Sequence, residues 1–378
     1  MKLFDVYPLF PIEPVKAVGS WLWDSEGKKY LDLYGGHAVI SIGHNHPHFV
    51  DALKNQLDKI SFYSNSVKNS MQENLAEKLG QLSGYTNHQL FLCNSGAEAN
   101  ENALKLASFI TGRKKVIAFK KAFHGRTSGA VAATDNPKIV APFNAGHEIT
   151  FLPLNDTIAF DQAIDHTIAA VIIEGIQGVG GIQIPDDSFL KHIAQKTKQA
   201  GALLILDEVQ SGYGRTGKFF AHQHAGIEAD LVTLAKGMGN GFPIGGVLIH
   251  PAIKPWSGML GTTFGGNYLA CAAGIAVLEV IENENLMANA QTLGDFWMKA
   301  LKAYPSILDV RGRGLMIGFD LPESMAGLRK DLLFKHHIFT GEAKPNTVRL
   351  LPSLALSKSE AEIFLEALSV ELKPIAAL

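Results

Sequence analysis

The sequence predicts an α/β protein. A large domain is expected, with a mainly parallel seven-stranded sheet flanked by helices, plus a smaller α+β domain built from the N- and C-terminal segments. Three observations carry this expectation. The chain has 378 residues, more than one ordinary domain. Short Val/Ile/Leu-rich runs without polar alternation recur through its middle, as in strands covered on both faces. Amphipathic stretches stand between several of these runs, and such alternation builds parallel sheets.

In chain order, the alternations at 21–23 and 30–33 predict a small hairpin that packs with the C-terminal part. Seven strands follow at 89–94, 115–120, 149–154, 169–174, 202–207, 231–234 and 246–250, with helices such as 97–110 and 188–199 between them. A long helix, with a possible bend, then runs from 267 to about 304. After it come a short strand at 314–320 and a helix from 359 to about 372, preceded by small polar capping residues. This change of pattern near 251–267 suggests an N-terminal segment 1–44, a large domain 45–255 and a C-terminal segment 256–378.

Composition narrows the function. The hydrophobic fraction is 47% and the net charge −2, which gives a large core and no basic field for nucleic acid or anionic lipid. Asp5 and Pro8 interrupt the start of the chain, where a secretory signal needs an apolar stretch, and no run approaches a membrane span. Cys93 and Cys271 sit far apart in apolar segments, as reduced core thiols would. A cytoplasmic protein is expected.

Four features fall at strand ends, where α/β sheets place their ligand sites. Asn94-Ser95-Gly96-Ala97 joins a strand to a helix, and such a helix N-terminus suits a phosphate. Asp207 closes an apolar strand, and a carboxylate there needs a cationic or hydrogen-bonding partner. Lys236 ends another; desolvation can strip its proton and leave a nucleophile for an aldehyde. Phe123-His124-Gly125-Arg126-Thr127 sets an aromatic face beside a guanidinium. Each has a plain structural alternative, namely a helix cap, a paired acid, a surface lysine or a loop arginine. Together they supply the anion site, ring-nitrogen partner, imine lysine and stacking surface that pyridoxal 5′-phosphate requires.

With these residues the chain resembles the class III aminotransferases of pyridoxal-phosphate fold type I, close to the acetylornithine and succinylornithine aminotransferases. The resemblance rests on FLCNSGAEANENALKLA from Phe91, FHGRT from Phe123, LILDEVQSGYGRTGKFFA from Leu204, LVTLAKGMGNGFPIGG from Leu231 and TTFGGN from Thr262. It implies that Lys236 carries the cofactor as a Schiff base and moves the proton. It gives Asp207 the ring nitrogen, Gln210 the phenolic oxygen, Phe123 the ring face, and Ser95, Gly96 and Ala97 the phosphate. Thr263 would reach the phosphate of a neighbouring subunit, so a homodimer with a shared site is implied. Arg126 would grip the carboxylate of the amino donor, and Arg349 the α-carboxylate of glutamate or 2-oxoglutarate. Glu174 and His37 join the substrate side. The implied reaction moves the δ-amino group of N2-acetylornithine to 2-oxoglutarate, in arginine biosynthesis; succinylornithine, ornithine and 4-aminobutyrate are the alternative donors.

Two other patterns compete. Gly212 to Gly217 matches G-x-G-x-x-G and would suit a nicotinamide-dependent oxidoreductase, but five residues separate it from its strand and no clear helix follows. The histidines at 44, 46 and 48 suggest a metal, yet no carboxylate or cysteine cluster accompanies them in sequence, and no metal is expected. Three departures from the family pattern bear on the amine substrate. Val179 stands where relatives carry a second glutamate, His37 where most acetylornithine enzymes are apolar, and the N-terminal tyrosine motif survives only as Tyr7-Pro8-Leu9.

Overall fold

The computed structural model describes residues 1–372; residues 373–378, the end of the predicted C-terminal segment, lie outside the described residues. The chain begins with three antiparallel strands, β1 (Pro14–Val18), β2 (Trp21–Asp24) and β3 (Lys29–Asp32). The predicted hairpin is the second pair.

The central sheet contains β4 (Gln89–Cys93), β5 (Lys115–Phe119), β6 (Ile149–Leu152), β7 (Ile168–Glu174), β8 (Leu203–Asp207), β9 (Leu231–Leu234) and β10 (Gly245–Ile249). Their order across the sheet is β4-β10-β9-β8-β7-β5-β6. The five strands from β6 to β9 pair in parallel, while β10 is antiparallel to both β9 and β4. Side chains alternate between two cores. Phe119, Val171, Ile173, Leu206 and Val232 point to one face, and Ala118, Ala170, Ile172, Ile205 and Leu231 to the other. Both faces are therefore dry, which explains why these strands read as unbroken apolar runs.

Beyond the sheet, the predicted long helix is two helices, Tyr268–Asn283 and Leu286–Leu301. The chain turns between them at Asn285, whose φ of 53° is a left-handed conformation that asparagine tolerates. The first packs against the helices Pro47–Leu57 and Ser70–Ser83. Then come β11 (Asp309–Arg313), β12 (Met316–Asp320), β13 (Ile338–Phe339), β14 (Gly341–Ala343) and β15 (Thr347–Leu350). Four of them form a sheet in the order β11-β12-β15-β14, and β13 instead adds to β3 in parallel. That pairing ties the two ends of the chain together beside the C-terminal edge of the central sheet. The final helix, Lys358–Glu371, starts with a capping box in which Ser357 and Glu360 satisfy each other's backbone N–H.

Candidate active site

Parallel strands end together, so β7, β8 and β9 bring their last residues to one edge. Glu174 of β7 pairs in register with Asp207 of β8, and Asp207 with Thr233 of β9. Asp207 is only 4% exposed, and a buried carboxylate needs donors. Its Oδ2 accepts from His124 Nδ1 and Asn100 Nδ2, each at 2.7 Å, and its Oδ1 from the Val209 N–H at 3.0 Å. Asn100 is fixed in turn by Thr233 Oγ1, which donates to its Oδ1 at 2.7 Å. This collar turns the Asp207 carboxylate in one direction.

Lys236 follows β9 with a φ of 45°, a strained conformation for a residue with a side chain. Burial pushes its pKa below the usual lysine range, while the charges of Asp207 and Glu174 work against that shift. A lysine so placed is readily deprotonated and nucleophilic.

The helix Gly96–Thr111 supplies the third wall. Ser95 Oγ accepts from the Glu98 N–H at 3.2 Å, and Glu98 Oε2 accepts from the Asn94 N–H at 2.7 Å. Among the described residues nothing accepts from the N–H groups of Gly96 and Ala97, which lie at the positive end of the helix dipole, a natural anion cradle. Gly96 is required here, because a Cβ would fall 2.6 Å from Val209 Cγ1.

The loop after β5 brings Phe123 and Arg126 to the same cavity. Gly125, with φ at 137°, lets this loop pass Ala97 closely: a Cβ at 125 would lie 2.7 Å from the Ala97 Cβ. Glu101 anchors the loop's far side through Thr127 Oγ1 and the Gly129 and Ala130 N–H groups. Arg126 is exposed, its guanidinium carbon 5.9 Å from the centre of the Phe123 ring. Glu174 accepts from the Phe123 N–H at 3.0 Å and the Gly178 N–H at 3.1 Å. Both its oxygens are thus engaged by loop backbone, and burial raises its pKa.

Ser95, Gly96, Ala97, Phe123 and Arg126 line one cavity of about 360 Å³, together with Glu174, Asp207, Gln210 and Lys236. Gln210 donates from Nε2 to His37 O at 3.0 Å, and its Oε1 is buried without a partner among the described residues. Of the other predicted residues, Thr263 is exposed and outside this cavity within its own chain. His37 and Arg349 stand behind the Gln210 side. Arg349 is buried and donates to Glu342 O at 2.8 Å, Gly178 O at 2.9 Å and Tyr34 Oη at 3.4 Å. The His37 imidazole meets the Tyr34 hydroxyl. Val179 is 45% exposed and lines an adjoining cleft, which shares Phe123 with this cavity, beside Arg329, Glu342 and Lys344.

The residue types fit pyridoxal 5′-phosphate. The open N–H groups can face an anion, the fixed carboxylate can take a ring N–H, and Gln210 Nε2, which keeps one N–H beyond its bond to His37 O, can donate to a ring oxygen. Asn100, His124 and Tyr34 were not singled out from sequence. Asn100 left one faint signal, a poor helix former in a helix interior.

The competing motifs have structural explanations. Gly214 and Gly217, at φ 84° and 86°, pack against Met287, Leu354 and Gln291, and the residues after them form turns. His44, His46 and His48 pair with three different carboxylates, Asp32, Glu284 and Glu279.

A model of the family described as aminotransferase class-III matches residues 5–372. The acetylornithine aminotransferase of Archaeoglobus fulgidus is 42% identical over 350 residues, covering 92% of each chain. That of Bacillus subtilis is 41% identical over 95% of this chain and 94% of its own. Among solved structures, the ornithine aminotransferase of Toxoplasma gondii ME49 superposes with a TM-score of 0.88 at 27% identity, covering 96% of this chain and 92% of that one. An (S)-enantioselective omega-transaminase from Thermomicrobium roseum gives 0.86 at 28% identity, over 97% and 95%.

Proposed function

The chain belongs to the class-III aminotransferases, pyridoxal-phosphate enzymes of fold type I, and we propose that it moves the δ-amino group of N2-acetylornithine to 2-oxoglutarate. The products are N-acetylglutamate 5-semialdehyde and glutamate, a step of arginine biosynthesis. One observation carries the choice of substrate. Relatives named for this activity share about 40% of residues with the chain over more than nine-tenths of its length.

When bound, pyridoxal 5′-phosphate supplies an aldehyde that takes up amino groups and a ring that delocalises electrons from the adjacent carbon. The residues divide the remaining work. Gly96 and Ala97 N–H groups with Ser95 hold the phosphate. The Asp207 carboxylate, oriented by His124 and Asn100, keeps a proton on the ring nitrogen. Phe123 and Val209, which line the cavity, would flank the ring, and Gln210 Nε2 would donate to the phenolic oxygen. Lys236 binds the cofactor through its amine and moves the proton at the reacting carbon. Arg126, exposed and without an acidic partner in the cavity, takes the distant α-carboxylate of the acylornithine. Arg349 takes the α-carboxylate of 2-oxoglutarate.

A homodimer with a shared site fits this reading. Thr263 lies next to Phe264, whose ring contacts Phe62 at 5.3 Å, and both rings are exposed with Tyr63 and Val67 nearby in sequence. An apolar patch of this kind suits a second copy, which would receive Thr263 at its phosphate. No helix among the described residues is long and apolar enough to cross a membrane, and a cytoplasmic location fits a biosynthetic enzyme.

The test is single-turnover loss of the visible cofactor band on mixing with acetylornithine, succinylornithine, ornithine and 4-aminobutyrate. Acetylornithine should react fastest. A clear lead for any of the other three reassigns the donor.

A further inference from the structure

Arg349 is buried, and among the described residues none of its three hydrogen-bond partners is charged. Two are backbone carbonyls, of Glu342 and Gly178. The third is the phenol of Tyr34, whose ring centre lies 5.7 Å from the guanidinium carbon. A guanidinium offers five N–H donors, so two remain, one on each terminal nitrogen. That number matches the two oxygens of one carboxylate.

Tyr34 is held by several independent contacts. Asp32 Oδ1 accepts from the Tyr34 N–H at 3.0 Å and from the Gly35 N–H at 2.8 Å, and His44 fixes Asp32 Oδ2 at 2.9 Å. The ring has its place only because residue 341 is glycine; a Cβ there would fall 2.4 Å from Tyr34 Cε2. Its hydroxyl meets His37 Nδ1. His37 itself sits on left-handed backbone, φ 68°, between Gly36 at 55° and Ala38 at 63°. Such a run is tolerated only where the surroundings enforce it. Burial raises the Tyr34 pKa, so the hydroxyl stays neutral and can accept from Arg349 while donating to His37.

We propose that Tyr34, held by His37, is a positioning residue for dicarboxylate recognition. Its hydroxyl turns the Arg349 guanidinium so that the two free N–H groups face the incoming α-carboxylate. Because this partner is neutral, the substrate displaces no competing anion, and the site stands ready for dicarboxylates. The proposal rests on the assignment of Arg349 to the α-carboxylate of 2-oxoglutarate.

The experiment uses cofactor-loaded enzyme, with glutarate binding measured by calorimetry and the two half-reactions measured separately. Tyr34→Phe should weaken glutarate binding and raise the KM for 2-oxoglutarate by roughly tenfold or more, the loss expected for a hydrogen bond to a charged group. The rate of the acylornithine half-reaction should stay within about twofold. In a double-mutant cycle, His37→Asn, which tolerates the left-handed backbone, should add little to Tyr34→Phe, because both act through one contact. Unchanged glutarate affinity, equal damage to both half-reactions, or additive effects of the two substitutions would each overturn the proposal. Arg349→Lys separates the two levels: intact glutarate binding there sinks the Arg349 assignment itself.

Discussion

Asp207→Asn replaces one carboxylate oxygen with an NH2 group and leaves the volume nearly unchanged. The collar around the side chain determines its orientation. If the NH2 took the place of Oδ2, two donors, His124 Nδ1 and Asn100 Nδ2, would lose their acceptor. If it took the place of Oδ1, only the Val209 N–H would. The second orientation wins, and leaving one buried donor unsatisfied costs about 1–3 kcal/mol. The cofactor-free variant should therefore unfold at lower urea, by that amount. The amide also cannot stabilise a proton on the ring nitrogen. Losing that charge-assisted bond, worth about 1.5–3 kcal/mol, weakens cofactor binding roughly 10- to 150-fold. The acylornithine half-reaction should fall further still, because a neutral ring draws electrons poorly. Removing the Asp207 charge also removes a force that holds a proton on Lys236, so the rise of rate with pH should move to lower pH. Urea melts, an absorbance titration with cofactor and single-turnover kinetics read these effects separately. A variant with an undiminished half-reaction rate would show that the ring nitrogen has another partner.

Lys236→Ala should fold and bind cofactor without the covalent link, and lose turnover by many orders of magnitude; a retained linked-cofactor absorbance band would refute the assignment. Arg126→Lys should raise the KM for acylornithines while sparing neutral ω-amines, because a lysine cannot match a carboxylate with a planar fork; equal damage to both would mark a structural arginine. Val179→Glu places an acid next to Gly178, whose carbonyl holds Arg349, and should weaken 2-oxoglutarate binding while leaving the acylornithine half-reaction intact; unchanged binding would show that position 179 does not reach the arginine. Burial raises the Glu174 pKa, with the Asp207 charge adding to it and His124 opposing. The stability this group contributes is then complete below its ordinary value of 4.5 and is lost as pH rises through the folded value, so the gap between parent and Glu174→Gln in urea melts should shift against the parent with rising pH.

The residues of the proposed cofactor side could be picked out in sequence because they lie at the ends of buried strands. Such strands are readable as apolar runs, and the polar residue that ends each run stands out. Asp207 and Lys236 announce themselves in this way, as does Ser95 before its helix. The residues that orient them were not legible. Asn100 sits mid-helix and His124 mid-loop, and only the close approach of that loop to the helix, allowed by Gly125 against Ala97, brings both to Asp207. The antiparallel direction of β10 was equally hidden, since the run at 246–250 looks like its parallel neighbours. The histidine cluster misled for a related reason: neighbours in sequence face three separate acids, and spacing alone does not show where side chains point.

The same contrast bears on how the dicarboxylate acceptor is chosen. The residues proposed to contact the cofactor come from short contiguous motifs on the central sheet, so their geometry is fixed by strands already committed to the core. The proposed dicarboxylate side is assembled from the two ends of the chain. Tyr34 and His37 follow β3, whereas Arg349 lies on β15 and pairs in register with Gly341 of β14. The β3–β13 pairing is what brings these segments together. Each departure from the family pattern, at His37, at Val179 and in the N-terminal tyrosine motif, lies outside the cofactor contacts. Substitutions there can retune which acid binds while Asp207, Lys236 and the proposed phosphate cradle keep the same chemistry. A change of dicarboxylate acceptor is therefore expected to track residues 34–39 and 178–179 rather than the strand ends.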